Sequence, residues 1–143
     1  MFKTRKREAL QFETPQEMYD DYKNRQINGI QDYQSKVIDT YMAKGMKETD
    51  VALELPTGTG KTLVGLLIGE FRRRKNKEKV VYICPTTQLA YQTANYANEK
   101  YGIKVTLFTG SKTNYESKDK LKYTTAQTIA KKIYLLTLHC VKH

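Results

Sequence analysis

A glycine-rich octapeptide, Leu55-Pro56-Thr57-Gly58-Thr59-Gly60-Lys61-Thr62, constrains the fold of this chain more than any other feature. It stands between a predicted strand at 50–55 and a predicted apolar helix at 61–73. Glycines at 58 and 60 let the backbone turn tightly and direct its N–H groups inward. The helix that follows adds the partial positive charge of its N-terminus. A strand, a glycine-rich loop and a helix in this order predict a phosphate-binding loop.

The residue types of the loop assign a role to each position. Lys61 is expected to reach the β- and γ-phosphates of a nucleotide, and Thr62 is expected to place its hydroxyl on Mg²⁺. Leu55 stands where the strict pattern has glycine. The predicted cofactors are therefore ATP and Mg²⁺. The predicted nucleotide-binding residues of the loop are Thr57, Gly58, Thr59, Gly60, Lys61 and Thr62.

Helical and strand patterns alternate along the rest of the chain, which predicts an α/β fold with a parallel sheet and right-handed crossovers. Gly65 and Gly69 in the helix after the loop permit close packing on that sheet. The apolar run at 133–141 has no clear type. The predicted elements are helices at 15–23, 32–44, 61–73 and 87–100, and strands at 50–55, 79–84 and 105–108.

The length of 143 residues fits one domain or a large fragment of one. No apolar run is long enough to span a membrane, and the charged start of the sequence has no apolar stretch of a secretory signal behind it. The two cysteines, Cys84 and Cys140, lack a metal-ligand spacing. These observations predict a cytoplasmic protein with reduced thiols and no membrane partner.

Charge is distributed unevenly between the two halves of the chain. Residues 1–71 carry 10 Lys+Arg and 11 Asp+Glu, a net charge of −1, whereas residues 72–143 carry 15 and 4, a net charge of +11. A one-sided basic excess favours a polyanion such as DNA or RNA as a partner. The alternative is a solvated lysine-rich face that aids solubility.

The octapeptide resembles motif I of superfamily 2 helicases, the group that includes the DEAD/DEAH-box and type III restriction-like proteins. A second similarity lies upstream, where Asp32-Tyr33-Gln34 at a helix start resembles the glutamine motif. In that family the glutamine contacts the adenine edge, so the resemblance implies a nucleotide contact for Gln34. The arginine that usually precedes this tripeptide is Gln31 here.

A third similarity lies at 84–92, which resembles motif Ia with its Pro-Thr-x-x-Leu-x-x-Gln form. In the family this segment holds the sugar–phosphate backbone of one nucleic-acid strand, which implies that role for Pro85, Thr86 and Thr87. Thr109-Gly110 resembles a small Thr-Gly motif that adds a further backbone contact. The alternative for Thr87 is that it only caps a helix.

The resemblance spans residues 12–130 and implies a RecA-like lobe, a three-layer α/β fold with a parallel sheet, here incomplete. The predicted organisation is a flexible basic arm at 1–12, a partial helicase lobe at 13–130 and a non-matching tail at 131–143. No acidic residue follows Asp119, so motif II is not found and no catalytic residue is assigned. The second helicase lobe is also missing. We therefore expect a truncated chain, with its reading frame lost near residue 130, that hydrolyses ATP negligibly.

Three functions remain open from the sequence. The first is the ATP-binding lobe of a helicase or translocase, which would contact nucleic acid and need a second lobe. The second is a non-catalytic nucleic-acid-binding remnant that uses the basic second half. The third is a different P-loop enzyme such as a small kinase, which the similarity at 85–92 disfavours. If turnover does occur, Glu54 and Glu70 are the candidate catalytic carboxylates.

Overall fold

A computed structural model describes residues 12–108 and the backbone of 133–137. Two helices precede the glycine-rich loop: α1 (Pro15–Asp20), and α2 (Asp32–Thr40), which continues into a π-helical turn at Tyr41–Gly45. After the loop come α3 (Lys61–Lys75), β1 (Val80–Cys84), and α4 (Thr87–Asn95) with a π-helical turn at Tyr96–Lys100. The strands β2 (Val105–Phe108) and β3 (Ile133–Thr137) complete the described elements.

The predicted helix starts are confirmed by their caps. Thr14 accepts a hydrogen bond from the N–H of Glu17, with Pro15 in the first turn. At the start of α2, Oε1 of Gln34 accepts a hydrogen bond from the N–H of the cap residue Gln31. The first helix ends at Asp20, three residues earlier than the sequence indicated, whereas α3 and α4 with its π-helical turn lie where they were expected.

The three strands form a parallel sheet in the order β1-β3-β2. Val80 of β1 and Val105 of β2 both pair with Ile133, so β3 lies between the two earlier strands. A strand that is last in the chain but central in the sheet requires a crossover, which is typical of α/β folds. The apolar run of unclear type therefore contains the central strand of the described sheet.

One face of β1 is covered by helices. Val80, Tyr82 and Cys84 alternate with outward residues and share one side of the strand. Gly65 of α3 lies against Tyr82, and Cys84 is buried with Ala90 of α4, so both helices pack on that side. On the other side Val81 and Ile83 are 44% and 51% exposed. Within the described ranges the sheet thus carries helices on one face only, and the third layer of the expected fold is not observed there.

The main core lies where α1, α2 and α3 meet, and a smaller cluster lies under α4. Phe12 belongs to the main core, since it is 2% exposed and its ring centroid lies 5.8 Å from that of Phe71. The predicted flexible arm at 1–12 is therefore wrong at residue 12. Phe12 joins the core because its ring buries a large apolar area there. Residues 1–11 lie outside the described residues.

The predicted strand at 50–55 is also not found. Residues 51–55 have no ladder partner among the described residues, and Val51 and Leu53 are exposed while Leu55 is buried. A strand exists only where a neighbour takes up its backbone hydrogen bonds. The apolar alternation in this segment therefore anchors Leu55 in the core and leads the chain into the loop without forming a strand.

Candidate functional site

The glycine-rich loop turns through two left-handed residues before α3 begins. Gly58 has φ of 78° and Gly60 has φ of 73°, a region that side-chain-bearing residues rarely adopt. The hydroxyl of Thr59 donates to the carbonyl of Pro56 and closes the turn. The carbonyl of Gly60 accepts hydrogen bonds from Leu63 and Val64, which starts the helix. The predicted conformational role of both glycines is thus confirmed.

The cap residue of α3 is Gly60, which has no side chain that could accept from the first N–H groups of the helix. The first N–H groups of a helix otherwise need an external acceptor, and together with the helix dipole they favour an anion. Lys61 stands exposed at the first position, and the partly buried Thr62 follows it. Helix N–H groups, an ammonium group and a hydroxyl at one point match the chemistry of a phosphate group with its Mg²⁺.

Gln34 holds the loop from α2. Its side chain is 5% exposed, and its Nε2 donates to the carbonyl oxygens of Thr59, at 3.0 Å, and Gly60, at 3.5 Å. Its Oε1 accepts from the N–H of Gln31 at 2.9 Å. The implied adenine contact is not tested by these bonds. They do show that the amide of Gln34 contacts the backbone that leads into the phosphate-binding turn.

The residues of the third similarity lie at the carboxyl end of β1. Thr86 is the N-cap of α4, and its hydroxyl accepts from the N–H of Leu89 at 3.2 Å. The cap is therefore Thr86 and not Thr87, which occupies the first helical position. Pro85 and Thr86 are exposed and Thr87 is partly buried. Thr109 and Gly110 lie outside the described residues.

The phosphate-binding loop and the 85–87 segment share one edge of the sheet. Tyr82 in the middle of β1 contacts Gly65 in the second turn of α3, so the first turn of α3 lies beside the carboxyl half of β1. Ligands of open α/β sheets bind at this carboxyl edge. The structure thus brings Gln34, the loop and the start of α4 to one side of the molecule.

Neither of the two candidate catalytic carboxylates, Glu54 and Glu70, makes a hydrogen bond to the glycine-rich loop. Glu70 lies near the other end of α3, where it accepts hydrogen bonds from the hydroxyl of Tyr22 at 2.8 Å and from Nε of Arg73 at 2.7 Å. Glu54 is exposed and borders a shallow cleft of about 260 Å³ with Val37 and Thr40. Among residues 12–108, no group of three His, Cys, Asp or Glu side chains is arranged to hold a metal.

Tyr82 is the site residue that sequence reasoning missed. Its ring lies against Gly65, on the face of α3 that also carries Thr62 one turn earlier. Burial raises the pKa of Tyr82 above its ordinary value. A signal was present in the sequence: a tyrosine within an apolar strand, opposite a glycine that permits close packing. What the sequence lacks is the register that places these two residues together.

Comparison with known proteins identifies the family. A family model described as DEAD/DEAH box helicase matches residues 31–140. No curated protein and no solved structure matches the chain. In the described part of the chain, no helix is long and apolar enough to cross a membrane.

The family match also bears on the expected tail. It continues past residue 130 and includes β3, whereas the segment 131–143 was predicted not to match the family. Both observations argue against a loss of the reading frame near residue 130. The match covers Gln34, the glycine-rich loop and the 85–87 segment in one span of more than two thirds of the sequence. This chain belongs to the DEAD/DEAH box helicase family.

Proposed function

We propose that this chain is the nucleotide-binding lobe of an ATP-dependent nucleic-acid helicase or translocase, and that ATP binds with Mg²⁺ at the start of α3. The observation that carries the proposal is the uncapped helix N-terminus behind two left-handed glycines, with Lys61 exposed beside it. The family match supports the same assignment, since members of this family use ATP.

Each residue of the loop has a separate task in this proposal. The backbone N–H groups of 58–62 would surround the phosphates, and the ammonium group of Lys61 would neutralise the charge at the β- and γ-phosphates. Thr62 would be the protein ligand of Mg²⁺. When bound, the ion would draw charge away from the phosphate oxygens. Gln34 would keep the loop in its turn through the carbonyl oxygens of Thr59 and Gly60.

The expectation of negligible hydrolysis remains a proposal. Phosphoryl transfer needs groups that orient the attacking water and balance the developing charge. Glu70 is already bonded to Tyr22 and Arg73, and Glu54 borders a different surface. We therefore expect this chain alone to bind ATP and to need further residues, including those of a second lobe, for turnover.

A second candidate is a nucleic-acid-binding remnant that no longer binds nucleotide. The observation that favours it is the net charge of +11 in residues 72–143. The two candidates differ in one measurement, because only the first requires nucleotide affinity. A different P-loop enzyme is disfavoured by the family match, which includes the 85–87 segment.

The experiment is calorimetric titration of ATP with Mg²⁺ into the chain and into Lys61→Ala. The substitution removes the charge on the phosphates, so binding should fall below detection. Lys47→Ala is the matched control, since it removes one exposed lysine outside the loop and should bind like the wild type. Equal affinities of wild type and Lys61→Ala would overturn the nucleotide-binding assignment. A wild-type chain that binds nucleic acid but not nucleotide would establish the second candidate.

A further inference from the structure

Tyr91 lies in the middle of α4 and differs from most tyrosines of the described chain. It is 44% exposed, and among the described residues it makes no hydrogen bond and no contact with another ring or a cation. By contrast, the hydroxyl of Tyr19 donates to a backbone carbonyl, and the ammonium group of Lys100 lies 4.0 Å from the ring centroid of Tyr96. The ring of Tyr91 is therefore available to a ligand.

The surface around this ring is polar and uncharged. Residues three and four apart share a face of a helix, and on the face of Tyr91 these neighbours are Gln88 and Asn95, which are both exposed. Side-chain amides donate and accept hydrogen bonds together, as the edges of nucleobases do. The stretch 80–98 contains no Asp or Glu, so it presents no carboxylate that would repel a phosphate backbone.

The position of Tyr91 along α4 places it beside the 85–87 segment. It follows Thr87 by one helical turn, about 6 Å along the helix axis. Contacts to phosphate and sugar fix the register of a nucleic-acid strand and leave its bases to other groups. A strand whose backbone is held at Thr87 would therefore bring a base within reach of the ring of Tyr91.

The chemistry of this surface favours single-stranded nucleic acid over a duplex or a protein. Unstacking a base from a duplex costs free energy, whereas each base of a single strand can present its π-face to an aromatic ring. Among the described residues, only Leu89 joins Tyr91 as a large apolar residue exposed on α4. That patch is far smaller than the roughly 800 Å² that each partner of a protein interface buries. The net charge of +11 in residues 72–143 also favours a polyanion.

We propose that Tyr91 is a base-stacking residue: its ring stacks on a nucleobase of a single strand whose backbone is held at the 85–87 segment. This inference rests on the nucleic-acid partner of the function proposed above. It adds a contact with a base to a surface that is otherwise expected to contact only the backbone. Since every base has a π-face, this contact raises affinity without sequence preference.

The test compares an oligothymidine strand with an abasic strand of the same length, each labelled and titrated by fluorescence anisotropy at low salt. The wild type should bind the thymine strand at least about fivefold more tightly, the lower end of the range for one stacked base. Tyr91→Ala should lose this preference and bind the abasic strand like the wild type. Tyr91→Phe keeps the ring and should keep the preference. Tyr33→Ala, which removes an exposed tyrosine from α2, is the matched control and should also keep it.

A spectroscopic measurement reports the contact directly. The chain contains no tryptophan, so Tyr91→Trp introduces a single indole at the proposed stacking position. Its fluorescence should be quenched by the thymine strand and much less by the abasic strand. Tyr33→Trp is the control and should be quenched by neither. This measurement keeps the proposal open to contradiction even if Tyr91→Ala folds poorly, because it retains an aromatic ring at 91.

The outcomes separate this inference from the function on which it rests. A wild-type chain that binds neither strand contradicts both the nucleic-acid partner and the role of Tyr91. A chain that binds both strands equally, keeps its preference in Tyr91→Ala, or shows no quenching in Tyr91→Trp contradicts only the role of Tyr91. A preference that is lost in Tyr91→Ala and kept in Tyr91→Phe and Tyr33→Ala supports it.

Discussion

Gly58 and Gly60 look alike in the sequence, but the structure makes different demands on them. Both are left-handed, and an alanine in that region costs roughly 1–2 kcal/mol. A Cβ on Gly58 would meet open space, whereas one on Gly60 would collide with Nε2 of Gln34. The first glycine is thus required by conformation alone, and the second by conformation and by the contact with Gln34.

We expect Gly60→Ala to lose more stability and more nucleotide affinity than Gly58→Ala. Both substitutions place a side chain in the left-handed region and so strain the backbone. Only Gly60→Ala also displaces the amide of Gln34 that holds the loop. Gly29→Ala is the control, because its Cβ would meet nothing within 4 Å. The measurements are thermal unfolding and ATP calorimetry of the three variants.

A double-variant cycle isolates the contact between the two residues. Gln34→Ala removes the obstructing amide, so Gly60→Ala should cost less in that background than in the wild type. Equal costs in the two backgrounds would show that the Gln34 contact does not restrict position 60.

At the scale of elements, the basic end of α3 is part of the core packing. All four cations at 72–75 have partners within the described residues. Nε of Arg72 binds Glu78, Arg73 binds Glu70, and Lys75 binds Glu13 and the Phe12 carbonyl. The guanidinium of Arg74 lies 5.0 Å from the ring centroid of Phe12 and 5.4 Å from that of Tyr22. Arg74 and Lys75 thus hold the N-terminal segment against α3.

We expect Arg74→Gln to lower the free energy of unfolding by about 0.5–2 kcal/mol, the range for a cation over aromatic rings. Single-strand DNA binding should not change, because this cation faces the rings. Lys47→Gln removes the same charge from an exposed site and should leave stability unchanged. Denaturant unfolding and a DNA titration give both readouts, and a loss of DNA affinity specific to Arg74→Gln would contradict this assignment.

The comparison of elements shows which features can be predicted from sequence. Helix ends with a local signal lie close to their predicted positions, because that signal comes from neighbours in the chain. Examples are the start of α1 at Thr14-Pro15 and the basic C-terminal turn of α3. Strands depend on partners far along the chain: the predicted 50–55 strand is not found among the described residues, and the apolar run that contains β3 could not be assigned a type. Apolar alternation indicates a tendency to form a strand, whereas the partner that satisfies the backbone is a property of the whole fold.

The same distinction holds for the candidate site. The places of Lys61 and Thr62 at the start of α3 follow from the spacing of the loop residues, since the loop and the helix are contiguous. The contact of Gln34 with Thr59 crosses 25 positions, and that of Tyr82 with Gly65 depends on how a strand packs on a helix. The spacing of motifs indicates which residues share a site, and packing decides which of them touch.

At the scale of the whole molecule, buried tyrosines link stability to alkaline pH. Burial, and then the charge and hydrogen bond of Glu70, raise the pKa of Tyr22 far above its ordinary 10.0. Burial also raises the pKa values of Tyr19 and Tyr101. Above pH 10 the unfolded chain loses these protons while the folded chain keeps them. Because the folded state then binds more protons, the free energy of unfolding falls as pH rises.

We expect the free energy of unfolding to be level between pH 8 and 9 and to decrease above pH 10, by up to about 1.4 kcal/mol per pH unit for each protected tyrosine. Tyr22→Phe should make that decrease shallower, although it also loses the bond to Glu70. Tyr91→Phe, an exposed position, is the control. Urea unfolding between pH 8 and 11 measures the slopes, and equal slopes in wild type and Tyr22→Phe would exclude a role for Tyr22.

Nucleic-acid binding is the property that most depends on the charge of the whole chain. The cations at 72–75 already have partners within the protein. We therefore expect other basic residues of 72–143 to contact the nucleic acid. Four lysines, Lys112, Lys118, Lys120 and Lys122, fall within twelve residues of sequence. Thr87, whose hydroxyl is not the cap of α4, is the threonine of the 85–87 segment that can be altered without removing the cap.

We expect single-stranded DNA or RNA to bind without sequence preference at roughly 10⁻⁴–10⁻⁶ M, the usual non-specific range. The logarithm of affinity should fall linearly with the logarithm of salt concentration, by about 0.7 per phosphate neutralised.

Changing the four lysines to glutamine should weaken binding and flatten this slope, whereas the same change at Lys23, Lys36, Lys44 and Lys47 should not. Thr87→Val should weaken binding without altering the slope, because a hydroxyl releases no counterions. Fluorescence titrations at several salt concentrations measure both quantities. A salt-independent affinity, or equal effects of the two lysine sets, would show that residues 72–143 are not the nucleic-acid-binding surface.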